Sequence, residues 1–394
     1  MTVGAVRERR GGLARYVVAA TLARSADGGA VVAIVLLATA GGAPGWVAGL
    51  LGAAITAPHL AGPFLARRLD TARDGRTVIA VACLVHGVTL AAAVLVYPVV
   101  WAAALLLIVS GLAGPLLTGG ISSRLPAIAG PERHRQRRAQ GWDVATYGIS
   151  GTVGPTIVAA VSAWASPTVA ALILAGATVL AAALVRVLPY APPAAEADEV
   201  PRPVRTLGIM LAIGPLRRTL YLTVTVALAV AALPITAVAS TGRLGVDPAA
   251  AGLLTAGYGL GGLLASAAIM VRPLPGDADR AMTVLATTVA SAMILVAVTG
   301  RFWWALAAYT MAGICNSFFF AATLAARSEY APAAARGQVF VWIGALKIAA
   351  NSAGTALAGA IVAAALYLPL TLAAASILLA VAASGLEQRR RRSR

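Results

Sequence analysis

The sequence predicts an all-α integral membrane protein with twelve transmembrane helices in two six-helix bundles. Two observations carry this prediction. The 394 residues are 60% hydrophobic and only 11% charged, with a mean hydropathy of +0.85, whereas a soluble domain carries about 25% charged residues. The charged residues also cluster between long uncharged stretches, each long enough for one or two membrane-spanning helices.

The uncharged stretches and the turn residues inside them set the helix positions. The longer stretches are divided by "GGAPG" at 41–45, "YP" at 97–98 and "ASP" at 165–167. Helices are expected because an open chain in lipid satisfies its backbone hydrogen bonds only in that form. The predicted helices occupy residues 14–39, 45–67, 77–97, 99–123, 141–163, 167–189, 219–241, 248–271, 281–299, 302–326, 337–363 and 367–386.

The basic residues predict the orientation of the chain. Apart from Arg24, Arg243, Arg301 and Lys347, they all fall in the N-terminal tail, in every second loop after it, or in the C-terminal tail. Cytoplasmic loops are the ones enriched in Lys and Arg. We therefore expect a multi-pass protein of the cytoplasmic membrane with both termini in the cytoplasm.

The middle of the chain predicts the domain organisation. Residues 190–218 are rich in Pro and charge, and they follow the sixth predicted helix. We expect an N-terminal six-helix bundle at 1–189, a cytoplasmic linker at 190–218, and a C-terminal six-helix bundle with a basic cytoplasmic tail at 219–394. Within the linker, "VRTLGIMLAIGPLRR" has basic ends and an apolar middle, which is typical of a segment lying along the membrane surface.

Several function classes are disfavoured. The net charge of +17 is dispersed between apolar runs, whereas nucleic-acid binding needs a contiguous basic surface. No phosphate-binding GxxxxGK[ST] motif is present, and the His residues lack metal-ligand spacing. We expect no enzyme activity, no cofactor and no metal site.

The charged loop after the second helix resembles a motif of the major facilitator superfamily of secondary transporters. The family pattern is roughly G-x-x-x-D-x-x-G-R-[KR], and "ARRLDTARDGRT" supplies Asp70, Gly75 and Arg76. Ala66 stands where the first Gly would be, and the gap from Asp70 to Gly75 is two residues longer than the pattern. Together with twelve helices and a central linker, the resemblance implies this fold across essentially the whole chain.

The fifth helix resembles the Gly-Pro motif of exporters in this family. It reads "YGISGTVGPTIVAA", with Gly148, Gly151, Gly154 and Pro155. Small residues let two helix backbones approach closely, and Pro permits a bend. The motif therefore fits either tight packing alone or a hinge that favours export. In contrast to many proton-coupled drug exporters of the family, the fourth helix carries no Arg before its cytoplasmic end.

Ionisable residues within the membrane are costly and are candidates for function. Arg24 and Asp27 lie three residues apart in the first helix, on one face. Asp27 is a candidate for binding a proton or a cationic group, with Arg24 tuning it or contacting an anion. The alternative is a closed structural ion pair.

The C-terminal half offers a second set of candidates. Lys347, the only lysine, lies in the eleventh helix with Asn351 one turn later, and the tenth helix supplies Tyr309 and Asn316. Lys347 either handles substrate or ions, or extends toward the interface; the tenth-helix residues either contact substrate or pack. If Arg24, Asp27 and Lys347 share a cavity, its net positive charge favours an anionic or zwitterionic substrate.

Two histidines also lie in the predicted helices. His59 either titrates near neutral pH or is simply a polar residue near the membrane interface, and His86 lies on a helix that is peripheral in the resembled family.

The resulting functional prediction is a monomeric secondary transporter. It moves a small organic molecule by alternating access, and its coupling ion is a proton, or another ion in its place. Export is favoured by the fifth helix, and proton use by Asp27. An uptake permease of the same fold and a non-transporting membrane sensor or assembly protein remain alternatives.

Overall fold

The computed structural model describes residues 3–247 and 250–392. In this part of the chain, twelve helices are long and apolar enough to cross a membrane. We number them span 1 to span 12 in chain order, and they cover Gly11–Ala40, Gly45–Thr71, Gly75–Val96, Val100–Ala129, Arg133–Trp164, Pro167–Arg186, Gly214–Ser240, Ala251–Val271, Ala278–Val298, Phe302–Tyr330, Ala333–Ile361 and Leu368–Arg389. The predicted all-α architecture is confirmed, and the chain is a multi-pass membrane protein.

The helices extend further into the charged segments than predicted. Span 2 continues to Thr71 and span 3 begins at Gly75, so the predicted loop between them shrinks to residues 72–74. Span 5 begins at Arg133 rather than at 141. Charge marks where the apolar part of a helix ends, but Arg is a good helix former and the helix itself continues.

The predicted linker is also partly helical. A short helix, Pro203–Ala212, covers its apolar segment, and span 7 begins at Gly214 rather than at 219. Its orientation toward a membrane surface stays a prediction.

Irregular turns interrupt several spans, among them spans 2 and 4. Span 2 contains a 3₁₀ turn at Ala57–Ala61, and span 4 contains a π-helical turn at Leu116–Gly120. Pro58 lies in the first turn and Pro115 directly precedes the second. Because Pro donates no backbone hydrogen bond, it breaks the regular helical ladder. π-helical turns are frequent at functional sites.

Side chains at the helix starts define where several spans begin. Asp74 accepts a hydrogen bond from Arg76 N at 3.0 Å, and Asp277 accepts one from Arg280 N at 2.9 Å. Such caps satisfy amide groups that have no partner within the helix. Arg76 and Arg186 also hydrogen-bond the Asp74 side chain and lower the pKa of its carboxyl group.

The chain divides into two units. Unit 1 contains the residues up to Ala139, Thr146–Leu207 and Pro332–Ala345, and unit 2 contains Gln140–Ala145, Gly208–Ala331 and the residues from Leu346 onward. Each unit has its own apolar core, rich in Ala, Leu and Val in unit 1 and in Ala, Leu, Val and Met in unit 2. The small Ala side chains let the helices pack closely.

Candidate functional site

Unit 1 contains a group of largely buried polar side chains that we call the polar cluster: Asp27, His59, His86 and Ser110. Asp27 Oδ1 lies 3.3 Å from His59 Nε2, and both side chains are largely buried. His86 is fully buried and its Nδ1 lies 3.0 Å from Ser110 Oγ. His86 also interacts electrostatically with Asp27 and His59. A carboxylate and two imidazoles therefore share one region within the membrane-spanning helices.

Helix packing at Gly114 makes room for this cluster. A Cβ atom at Gly114 would overlap His59 Nε2 and would lie 2.6 Å from Asp27 Oδ1. Gly114 directly precedes Pro115 and the π-helical turn of span 4, and His59 lies in the 3₁₀ turn of span 2. The irregular turns thus border the place where the carboxylate meets the imidazole.

Arg24 has a hydrogen-bond network of its own. It donates to Ser122 Oγ at 2.8 Å, to Thr118 O at 3.2 Å and to Thr146 Oγ1. Its guanidinium carbon lies 3.7 Å from the centre of the Tyr147 ring, an arrangement that favours a cation over an aromatic face. Arg24 and Asp27 therefore have different partners: Arg24 contacts Ser122, Thr118, Thr146 and Tyr147, whereas Asp27 faces His59.

The four residues of the fifth-helix motif have different environments. A Cβ at Gly154 would lie 2.6 Å from Ser25 O, so spans 1 and 5 are in close backbone contact there. At Gly151 a Cβ would meet no atom within 4 Å. Gly148 and Pro155 are half-buried. Close packing is thus concentrated at one position of the motif.

The motif of the second loop is mostly helical. Asp70 is the next-to-last residue of span 2, and it accepts hydrogen bonds from Gly337 N at 2.8 Å and Gln338 N at 2.9 Å, near the start of span 11. A carboxylate at a helix start satisfies free amide groups and interacts well with the helix dipole. Ala66 is fully buried.

The remaining motif residues start span 3. Gly75 is packed so that a Cβ would lie 2.7 Å from Arg124 Nη1. Arg76 pairs with Asp74 at 2.9 Å and donates to Leu188 O at 2.7 Å. Asp70 and Arg76 therefore serve different partners despite their proximity in sequence.

Unit 2 contains a cavity that we call the lysine cavity. Its volume is about 150 Å³. Asn316 Nδ2 donates to Tyr258 Oη at 2.8 Å, and Lys347 Nζ lies 3.9 Å from the centre of the Phe320 ring. The lining residues are Thr223, Val226, Ala227, Val230, Tyr258, Asn316, Phe319, Phe320, Lys347 and Asn351.

The structure brings some of the predicted site residues together and separates others. Lys347, Asn351 and Asn316 line the same cavity. Tyr309 lies in the apolar core, where its hydroxyl donates to Leu233 O at 3.0 Å. Tyr309 is thus held by packing and a backbone hydrogen bond.

Sequence reasoning missed His59 and His86 as members of a polar site. His59 is 4% exposed and faces Asp27, and its expected place near the membrane interface stays a prediction. His86 was placed on a peripheral helix, yet it belongs to the same cluster. Their occurrence in uncharged spans was itself a signal, because ionisable residues in a membrane usually face a partner.

Solved structures of similar fold identify the architecture. The human organic anion transporter MFSD10 matches with a TM-score of 0.75 at 16% identity, covering 95% of this chain and 98% of that one. The E. coli fucose:proton symporter FucP matches with a TM-score of 0.71 at 16% identity, covering 94% and 98%. A bacterial homologue of the iron transporter ferroportin matches with a TM-score of 0.69 at 13% identity, covering 97% and 99%.

The sequence itself matches no family model and no curated protein. The similarity therefore lies in the arrangement of the helices along nearly the whole chain. The expected architecture is confirmed by it: the protein has the fold of the major facilitator superfamily of transporters.

Proposed function

We propose that the protein is a secondary active transporter that moves a small organic molecule by alternating access and is driven by protons. The observation that carries the proposal is the buried Asp27–His59 pair, 3.3 Å apart, in a chain with a transporter fold. When His59 is protonated, the two side chains form an ion pair in which each charge compensates the other; an uncompensated charge inside a membrane is costly. Protonation of Asp27 neutralises its carboxylate, so a positive charge on His59 is no longer compensated. His59 then either loses its proton or forms new contacts.

This chemistry provides a physical route to coupling. A proton enters the polar cluster when the cluster is accessible from one side of the membrane. The proton leaves when the cluster is accessible from the other side. The charge of the cluster therefore differs between the loaded and unloaded states, so the preferred conformation differs as well. In this proposal Asp27 holds the proton and His59 is its immediate partner.

Direction and topology belong to the same proposal. Export is supported by the resemblance of span 5 to the exporter motif and by its close contact with span 1 at Gly154. The distribution of Arg residues supports a cytoplasmic-membrane location with both termini in the cytoplasm. The transporter acts as a monomer, without a cofactor or enzyme activity.

Transport in vesicles tests the proposal. Purified protein is reconstituted and offered a panel of small organic solutes, with and without an imposed pH gradient. We expect at least one solute to move against its own gradient only when the pH gradient is present, and Asp27→Asn to abolish this movement.

Three results would each contradict a part of the proposal. Normal gradient-driven transport by Asp27→Asn would remove the coupling role of that residue. Absence of transport across the whole panel would favour a membrane sensor or assembly protein. Accumulation rather than depletion of the solute in cells would retain transport but reverse its direction to uptake. Thermal unfolding of wild type and variant in parallel controls for loss of fold.

A further inference from the structure

We propose that the lysine cavity binds the carboxylate end of a small aromatic or similarly apolar organic anion. This inference rests on the proposed transport function and names the substrate class for it. It follows from the charge, the hydrogen-bonding groups and the size of the cavity, all of which belong to unit 2.

The charge of the lining favours an anion. Lys347 contributes an ammonium group, and the lining residues include no Asp or Glu. The Phe320 ring below the ammonium, with Nζ 3.9 Å from its centre, stabilises the cation. A carboxylate adds a charge-assisted hydrogen bond, which is roughly twice as strong as a neutral one. A cationic ligand would instead be repelled.

A buried hydroxyl in the wall points to a polar ligand group. Thr223 is 2% exposed, and its Oγ1 has no hydrogen-bond partner within the described part of the chain. An unpaired buried hydroxyl costs free energy. Thr223 lines the same cavity as Lys347, Asn316 and Asn351, so an oxygen of a bound ligand would supply the missing partner.

The rest of the wall and the volume define the body of the ligand. Val226, Ala227, Val230, Phe319 and Phe320 provide an apolar surface beside the polar groups. The cavity encloses about 150 Å³, and an apolar cavity of about this size accommodates one benzene molecule. Benzoate combines a ring of that size with a carboxylate, and is therefore a suitable probe.

Binding of three matched probes tests the inference. Benzoate, benzamide and benzylamine share the ring but carry a negative, neutral and positive group. Their dissociation constants are measured from the thermal stabilisation of the full chain in nanodiscs. In the wild type we expect benzoate to bind about tenfold more tightly than benzamide, and benzylamine to produce no stabilisation.

Variants assign the discrimination to Lys347. Lys347→Gln should reduce the benzoate-to-benzamide ratio to about one, and Lys347→Arg should preserve it, since the charge is retained. Arg272→Gln removes the same charge at an exposed position outside the cavity and should leave the ratio unchanged. Asn316→Asp keeps Lys347 but adds a carboxylate, and should reduce the benzoate-to-benzamide ratio to about one, because the lining then carries no net charge.

Several outcomes would overturn the inference. They are equal or weaker binding of benzoate relative to benzamide, no binding of any probe, and an unchanged ratio in Lys347→Gln. The proposed function is tested separately: transport of a neutral or cationic solute under a pH gradient would keep that function while this substrate class falls. Benzoate binding without transport of any solute would keep the assigned ligand class and contradict the proposed transport function.

Discussion

The polar cluster of unit 1 and the lysine cavity of unit 2 both contain several polar side chains, but the two regions are packed differently. In the polar cluster, Asp27 faces His59 at 3.3 Å, and a single methyl group at Gly114 would overlap the pair. In unit 2, Lys347 and Asn316 line a cavity of about 150 Å³. A proton needs a titratable group but no volume, whereas an organic molecule needs volume.

The comparison therefore suggests a division of roles. We assign proton binding to the polar cluster and substrate binding to the lysine cavity. Added side-chain volume should therefore lower the unfolding free energy when it is placed in the polar cluster. Placed in the lysine cavity, it should weaken ligand binding. Changes of hydrogen bonding should also have different costs in the two regions.

The largest expected effect comes from adding a methyl group to the polar cluster. Gly114→Ala places a Cβ against His59 Nε2 and Asp27 Oδ1. Overpacking of a buried site typically costs about 1–3 kcal/mol of unfolding free energy. We expect a lower thermal midpoint and loss of gradient-driven transport.

A glycine in open surroundings provides the control for this variant. A Cβ at Gly176 in span 6 would meet no atom within 4 Å, so Gly176→Ala should leave transport at the wild-type level and the thermal midpoint at or slightly above it, because Ala is the better helix former. Equal thermal midpoints and equal transport in the two variants would show that Asp27 and His59 can move apart without loss. The polar cluster would then not be tightly packed around Gly114.

An intermediate effect is expected from filling the lysine cavity. Ala227 lines it, and Ala227→Val adds two methyl carbons where space exists. We expect the unfolding free energy to stay within about 1 kcal/mol of wild type, while benzoate binds about tenfold more weakly because its volume is occupied. Unchanged binding would remove the volume criterion from the substrate assignment.

The smallest effect comes from removing one hydroxyl in each region. Ser110 Oγ lies 3.0 Å from His86 Nδ1, so Ser110→Ala should cost about 1 kcal/mol. Thr223 Oγ1 has no partner within the described residues, so Thr223→Val should be neutral or slightly stabilising without ligand. Chemical denaturation of both variants measures the change in unfolding free energy. An equal change in the two variants would contradict the description of Ser110 as hydrogen-bonded and Thr223 as unpaired within the described residues.

The fold was largely predictable because membrane solvation acts on short segments of sequence. Uncharged stretches and turn residues located all twelve spans, since a spanning helix needs about 20 apolar residues regardless of its neighbours. The ends were less predictable, as at Arg133, where span 5 starts earlier than the loss of charge indicated. Helix continuation depends on backbone geometry and capping rather than on hydropathy.

Which candidate residues share a surface was predictable from spacing only within one helix face. Lys347 and Asn351 are one turn apart, and both line the lysine cavity. The Asp27–His59 contact joins different spans and depends on Gly114 in a third. No spacing rule links these positions, so tertiary packing was needed to find them.

Parallel measurement of two transport modes tests the division of roles most directly. With a solute identified in the vesicle screen, gradient-driven transport and solute exchange at equal pH are measured for Asp27→Asn and Lys347→Gln. Exchange requires substrate binding and the conformational change but no net proton movement. The account predicts that Asp27→Asn loses gradient-driven transport and retains exchange, whereas Lys347→Gln loses both. Equal loss of both modes in Asp27→Asn, or normal exchange in Lys347→Gln, would contradict it.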